Sequence, residues 1–167
     1  MIRFTVFGEA QPAGSKRAFM RPGMKFPVVV DANQKAKGWK SQVAVEAGKA
    51  MAGKRLLTGA VALQIVVFRP RPKGHYGTGK NTGVLKHSSP DYPDTKPDLT
   101  KLVRGTEDAL RGIVWRDDAQ VCRQQTGKLY GEPARAEIAI GAMDESLAFA
   151  GIGAKSQAPF SAHQGSC

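Results

Sequence analysis

The sequence has few of the residues that build disulfide or zinc frameworks. It contains two cysteines, Cys122 and Cys167, and three histidines among 167 residues. Their spacing matches neither a zinc motif nor a disulfide framework. No apolar run approaches the roughly 18 residues that a membrane span requires, and the N-terminal segment lacks the apolar region of a signal peptide. We therefore expect a reduced, cytoplasmic protein that binds neither zinc nor a membrane.

Acidic residues are scarce relative to basic ones. The chain has 14 Asp and Glu against 25 Lys and Arg, which gives a formal net charge of +11. Such a balance favours an acidic partner, and nucleic acid comes first because Lys and Arg contacts to phosphate dominate its binding. The alternative is a basic protein with another role. The cations are spread along the chain, and this favours a broad binding face over a basic tail.

The hydrophobic pattern predicts a single α+β domain, with a mixed sheet packed against two main helices. We expect this domain over residues 1–143, followed by a flexible C-terminal tail over 144–167. A long basic loop is expected over residues 70–96, and irregular chain over 11–27. The predicted elements are strands over 2–9, 28–30, 60–69, 119–128 and 134–142, the last two joined as a hairpin, and helices over 33–52 and 98–111.

Aspartates mark both ends of the second predicted helix. Asp98 opens it, Asp108 lies near its end, and Asp117-Asp118 precedes the next strand. The simpler roles are a helix cap for Asp98, an ion pair with Arg104 for Asp108, and a turn for Asp117-Asp118. A carboxylate such as Asp108 in the last turn opposes the helix dipole, which indicates a non-local partner. If the helix ends converge, the carboxylates would bind Mg²⁺ or Mn²⁺, which activate water for phosphodiester hydrolysis.

The segment over residues 74–81 nearly matches a phosphate-binding loop. It fails because Asn81 stands where a metal-binding hydroxyl is required and no helix-like apolar run follows. We therefore expect no nucleotide cofactor, and a basic loop that contacts the DNA backbone or is simply solvated. The candidate DNA-binding residues are Lys16, Arg17, Lys73, Lys80 and Lys101.

The stretch from Lys96 to Val121 resembles the RusA-type Holliday junction resolvases of phages and prophages. The residues that carry the resemblance are Lys96-Pro97-Asp98, Lys101-Leu102, Arg104, Asp108-Ala109-Leu110, Gly112 and Asp117-Asp118-Ala119-Gln120-Val121. The resemblance implies a homodimeric, Mg²⁺-dependent endonuclease that cuts four-way DNA junctions symmetrically, in the cytoplasm of a bacterial host or at its nucleoid.

The same resemblance assigns the site. Asp98 and Asp118 match the family's metal-binding aspartates, Asp117 lies beside them, and Arg104 stands where the family usually has a catalytic lysine. Arginine can neutralise charge but cannot donate a proton as lysine can. Asp108 and Asp94 are supporting candidates.

Thr100 departs from the family pattern, which commonly has Asp-x-Asp at the start of the helix. The loss of one carboxylate keeps a second interpretation open, a catalytically impaired protein that binds branched DNA. A third interpretation is a basic RNA-binding protein. The clustered aspartates oppose the third, because they serve no purpose on a phosphate-binding face.

Overall fold

The computed structural model describes residues 1–14, 16–31 and 33–143, so the tail expected over 144–167 lies outside the described residues. Within these ranges three short 3-10 helices, Lys73–His75, Gly79–Asn81 and Asp118–Gln120, accompany the main elements. The strands are β1 (Ile2–Phe7), β2 (Lys16–Phe19), β3 (Val28–Asp31), β4 (Val61–Arg69), β5 (Val121–Tyr130) and β6 (Arg135–Ala142), and the helices are α1 (Lys35–Met51) and α2 (Leu99–Glu107).

Four strands form a mixed sheet in the order β1-β6-β4-β5, in which β4 and β5 run parallel and the other neighbours run antiparallel. Both helices contribute to one core against this sheet, through Trp39 and Val43 of α1 and Leu102 of α2. The expected α+β class, a mixed sheet with two main helices, is confirmed. β2 and β3 pair separately as a two-stranded sheet.

The predicted hairpin between β5 and β6 is wrong. Strand β4 lies between them, so the connection over residues 131–134 crosses the end of β4. Two strand spacings are about 10 Å, within reach of four extended residues. The crossing is tight: the Gly131 N–H donates to the Arg69 carbonyl at 2.9 Å, and a Cβ on Gly131 would lie 2.7 Å from Cδ1 of Phe68. A larger residue at this position would therefore force the Phe68 side chain to shift.

Helix α2 has the apolar stripe that its sequence predicts. Leu102, Val103 and Thr106 are buried, while Lys101 and Arg104 are exposed. The regular helix ends at Glu107, four residues before the predicted end, and the chain continues in turns.

The chain that follows β1 packs closely against α2. The Ala13 N–H donates to the Lys101 carbonyl at 2.8 Å, and a Cβ on Gly105 would lie 2.9 Å from the Gln11 carbonyl oxygen. A side chain at Gly105 would push residues 11–13 away from the helix. Gly105 therefore keeps the chain after β1 close to the start of α2.

The long loop between β4 and α2 has internal structure. Backbone N–H groups of Gly77 and Lys86 donate to the carbonyls of Val84 and His75, each at 2.9 Å. The Arg71 guanidinium lies 4.3 Å from the ring centroid of Tyr130, which attaches the loop to β5. Among the helices of the described ranges, none is long and apolar enough to cross a membrane.

Candidate functional site

Asp98 lies at the N-cap position of α2 without using its side chain as a cap. Its backbone is extended (φ −66°, ψ 139°), and its carboxylate accepts no capping hydrogen bond from the described helix. The capping alternative for the side chain is therefore wrong. The carboxylate is half-exposed and lies 3.1 Å from Nζ of Lys101, one turn along the helix.

Asp98 opens onto a cavity of about 410 Å³. The cavity holds a second carboxylate, that of Glu9, whose Oε1 lies 3.2 Å from Nη2 of Arg69. Lys96 and Lys101 add two more cations to its lining. An open cavity with both carboxylates and cations can hold a phosphate and a divalent ion together.

A pair of cations holds the chain that leads into Asp98. Nη1 of Arg69 donates to the Lys96 carbonyl at 2.9 Å, and Nζ of Lys128 donates to the carbonyls of Thr95 and Pro97 at 2.8 and 3.1 Å. Three consecutive carbonyls thus each accept a charge-assisted hydrogen bond. Arg69 and Lys128 come from the carboxyl ends of the parallel strands β4 and β5, which meet at one edge of the sheet. We call these two residues and the three carbonyls the carbonyl clamp.

Asp117 and Asp118 lie in the 3-10 turn before β5. Oδ1 of Asp117 accepts from the Ala119 N–H at 2.9 Å and caps that turn, as the simpler alternative predicted. Oδ1 of Asp118 accepts from Nε1 of the fully buried Trp115 at 3.0 Å. Its Oδ2 lies 4.0 Å from Nη1 of Arg111. Asp118 is therefore held by a core residue but keeps an oxygen toward solvent.

Glu107 lies close to Asp118 and is not among the site residues that the sequence predicted. Burial raises the pKa of the Glu107 carboxyl, and the charges of Asp118 and Asp108 raise that pKa further. A hydrogen bond of 2.8 Å from Nε2 of Gln124 opposes the rise. Asp108 pairs with Nζ of Lys40 at 2.8 Å, so the expected non-local partner of Asp108 is confirmed.

The two groups of carboxylates lie at opposite ends of α2. Lys128 of β5 contacts the chain just before Asp98, whereas Gln124 of β5 contacts Glu107. The helical rise puts roughly 13 Å between the backbones of Asp98 and Glu107. Across residues 1–14, 16–31 and 33–143, no three carboxylate, imidazole or thiolate side chains come together to hold a metal ion.

The Asp98 end of the helix nevertheless fits a magnesium ion. This ion is often held by one or two carboxylates, with substrate phosphate and water completing its shell. The uncapped carboxylate of Asp98, with Glu9 in the same cavity, provides that kind of ligand set. A site with three carboxylates from one chain is not present in the described ranges.

The predicted DNA-binding residues are spread over several elements. Lys73 and Lys80 are exposed in the two 3-10 helices of the long loop. Lys16 and Arg17 lie in β2. Asp94 is exposed in the loop before α2 and does not line the Asp98 cavity.

Replacement of Glu107 by Gln should stabilise the protein at neutral pH. The raised pKa means that the folded state binds a proton more readily than the unfolded state, so the carboxylate destabilises the fold as pH rises past its ordinary value of 4.5. We expect Glu107→Gln to melt a few °C higher than the wild type at pH 7, with the difference shrinking as the pH is lowered toward 4.5. Melting curves of both proteins across pH 4–8 test this, and an equal difference at every pH would contradict it.

Comparison with known proteins gives two matches. The family model described as Endodeoxyribonuclease RusA matches residues 9–141. A protein of Bacillus subtilis strain 168, named Uncharacterized protein YqaN, is 33% identical over 147 residues, which cover 83% of this chain and 94% of that protein. The family match contains both ends of α2 and the strand that follows.

Proposed function

Because the chain belongs to the RusA endodeoxyribonuclease family, we propose that it is a metal-dependent endonuclease that resolves four-way DNA junctions by symmetric phosphodiester hydrolysis. The observation that carries this proposal is the family match over residues 9–141, which includes Asp98, Arg104 and Asp118. The uncapped carboxylate of Asp98 in a cavity lined with cations supports it.

Asp98 is the proposed primary ligand of Mg²⁺ or Mn²⁺, with Asp118 and Asp117 as further ligands. A metal ion bound there would lower the pKa of a coordinated water and stabilise the leaving oxygen. Arg104 and Lys101, exposed on α2, would neutralise charge on the scissile phosphate. Arg104 stays protonated, so it orients and neutralises the phosphate without transferring a proton.

A homodimer would supply what one chain lacks. In one chain, Asp98 lies at the start of α2 and Asp118 lies near Glu107 at its end, so Asp118 of a second copy is the candidate to join Asp98. A two-fold axis would create two equivalent shared sites. Two symmetric cuts in a four-way junction need two such sites. Lys16, Arg17, Lys73 and Lys80 would hold the DNA backbone around them.

One observation favours a second function. Thr100 stands where the family commonly has a carboxylate, and the described ranges of one chain have no group of three metal ligands. A protein with these features could bind branched DNA without cutting it. The two functions share a substrate and differ in whether a metal ion produces cleavage.

The proposed function is tested with a synthetic four-way junction in which each strand carries a different label. With Mg²⁺ or Mn²⁺ we expect paired nicks at symmetric positions of two opposed strands, and with EDTA no nicks. A linear duplex with the same sequence serves as the control and should stay intact. Tight junction binding with no nicks in either metal would overturn the nuclease and leave the binding protein.

A further inference from the structure

The β2–β3 hairpin forms a two-stranded sheet of its own, apart from the four-stranded sheet. Its strands pair from Lys16 with Asp31 to Phe19 with Val28. Pro22 and Gly23, with φ +86° at Gly23, occupy the central positions of a turn closed by a hydrogen bond of 3.1 Å from the Met24 N–H to the Arg21 carbonyl. These are the residues that a type II turn requires. We call residues 19–27 the hairpin tip.

The hairpin tip exposes large apolar side chains. Phe26 is 79% exposed, Met20 59%, Met24 50% and Phe19 42%. Single exposed apolar residues are common, but four within eight consecutive residues form a patch, and such patches mark interaction sites. The turn needs only Pro22 and Gly23 for its conformation. The turn therefore does not explain why the four apolar side chains are present.

The hairpin tip is also basic. From residue 11 to residue 30 the sequence has four cations, Lys16, Arg17, Arg21 and Lys25, and no acidic residue. The Arg21 guanidinium lies over the ring of Phe19, 5.8 Å from its centroid. A guanidinium beside an exposed ring provides a phosphate contact and a stacking surface at the same place.

We propose that the hairpin tip binds unstacked DNA bases at the branch point of the substrate, with Phe19 and Phe26 stacking on the bases and Arg21 and Lys25 contacting the flanking phosphates. This inference rests on the proposed function, since it takes branched DNA as the partner. Proteins hold single-stranded DNA by combining a basic surface along the backbone with aromatic rings on which the bases stack. Apolar side chains also insert between base steps that a protein opens.

The charge of the hairpin tip argues against a second copy of this chain as its partner. Hairpin tips packed against each other across a two-fold axis would bring Arg21 and Lys25 close to the same residues of the other copy. That contact would place like charges together in an interface with no acidic residue to offset them. DNA with unstacked bases suits both kinds of side chain, because its base faces can contact the apolar groups and its phosphates can pair with the cations.

The test compares three variants with the wild type: Phe19→Ala/Phe26→Ala, Phe26→Trp, and Phe7→Ala as the matched control. Phe7 is a phenylalanine on β1 with 63% exposure, outside the hairpin. Binding to a fluorescent four-way junction and to a linear duplex is measured by anisotropy with EDTA present, so that no DNA is cut. A second junction carries 2-aminopurine at the branch point, whose fluorescence rises when that base leaves the stack.

We expect the double variant to lose about 10-fold in junction affinity for each ring removed, with duplex affinity changed much less. The double variant should also lose the rise in 2-aminopurine fluorescence that the wild type produces. Phe26→Trp and Phe7→Ala should bind the junction like the wild type. Unchanged junction binding by the double variant, or an equal loss on junction and duplex, overturns the proposal. So does a shift of the double variant to a smaller assembly in sedimentation, which would assign the patch to a contact between copies.

The two proposals fail in distinguishable ways. A wild type that cuts junctions, and a double variant that binds them as tightly, would overturn the role of the hairpin tip alone. A wild type whose junction affinity depends on Phe19 and Phe26 but which never cuts would overturn the nuclease and support the hairpin tip.

Discussion

Two inactive variants should restore cleavage when they are combined in one dimer. Asp98→Asn and Asp118→Asn should each lower junction cleavage by about 10³-fold or more, because metal binding contributes several kcal/mol of charge stabilisation in the transition state. If each site takes Asp98 from one copy and Asp118 from the other, a mixed dimer has one complete site and one that lacks both aspartates. It should cut one strand of the junction and leave single nicks.

The mixed dimer is obtained by co-expression of the two variants with different tags and sequential purification on both. If the two variants instead exchange subunits at random, half of the dimers are mixed, and each mixed dimer has one complete site out of two. Such a population would show about a quarter of the wild-type nicking. The matched control pairs Asp98→Asn with the double variant Asp98→Asn/Asp118→Asn, a combination with no complete site. A doubly tagged Asp98→Asn, Asp118→Asn dimer as inactive as this control would show that both aspartates act within one chain.

Removal of the Lys128 ammonium should slow cleavage without weakening DNA binding. In the carbonyl clamp, Nζ of Lys128 holds the carbonyls of Thr95 and Pro97, the latter directly before Asp98. Loss of both bonds frees that chain, and a misplacement of about 1 Å at a catalytic group can cost roughly 10²-fold in rate. We therefore expect Lys128→Met to lower the cleavage rate by about 10²-fold, with junction affinity within about 3-fold of the wild type. Single-turnover rates and anisotropy titrations measure the two quantities.

Two further variants separate positioning of Asp98 from loss of charge or of fold. Lys128→Arg keeps the cation and should recover part of the rate. Lys54→Met is the matched control, because Nζ of Lys54 also donates to a backbone carbonyl, that of Ala50 at 2.6 Å, at the end of α1. Lys54→Met should cut like the wild type. An affinity loss in Lys128→Met as large as its rate loss would instead make Lys128 a DNA contact.

The sequence predicted the elements whose pattern is local. The alternation over Val61–Phe68 predicted β4, and the helical spacing of Leu102, Val103 and Thr106 predicted the buried face of α2. β2 was missed, because its four residues have no strong alternation and are ordered by pairing with β3, which follows after eight residues. A short segment of this kind becomes a strand through its partner, which the local pattern does not reveal.

Two features around Asp98 were not predicted from the sequence, and the cause was topological. A connection of four residues between β5 and β6 suggested a hairpin, whereas β4 is inserted between them. The wrong pairing hid the parallel contact of β4 with β5, which places Arg69 and Lys128 at one edge of the sheet. The carbonyl clamp therefore could not be predicted from the sequence pattern. Glu9 was hidden for a similar reason, because it lines the same cavity as Asp98 only when the chain after β1 packs against α2.

The order of the strands has a consequence for the timing of synthesis. β6 lies between β1 and β4, so the last strand of the described residues hydrogen-bonds both to their first strand, β1, and to β4. A nascent chain that has emerged only through β5 has no partner for β1 and leaves one edge of β4 open to other chains. The ribosome must release residues 135–142 before the sheet can close. The four-stranded sheet is thus completed only when nearly all of residues 1–142 have been translated.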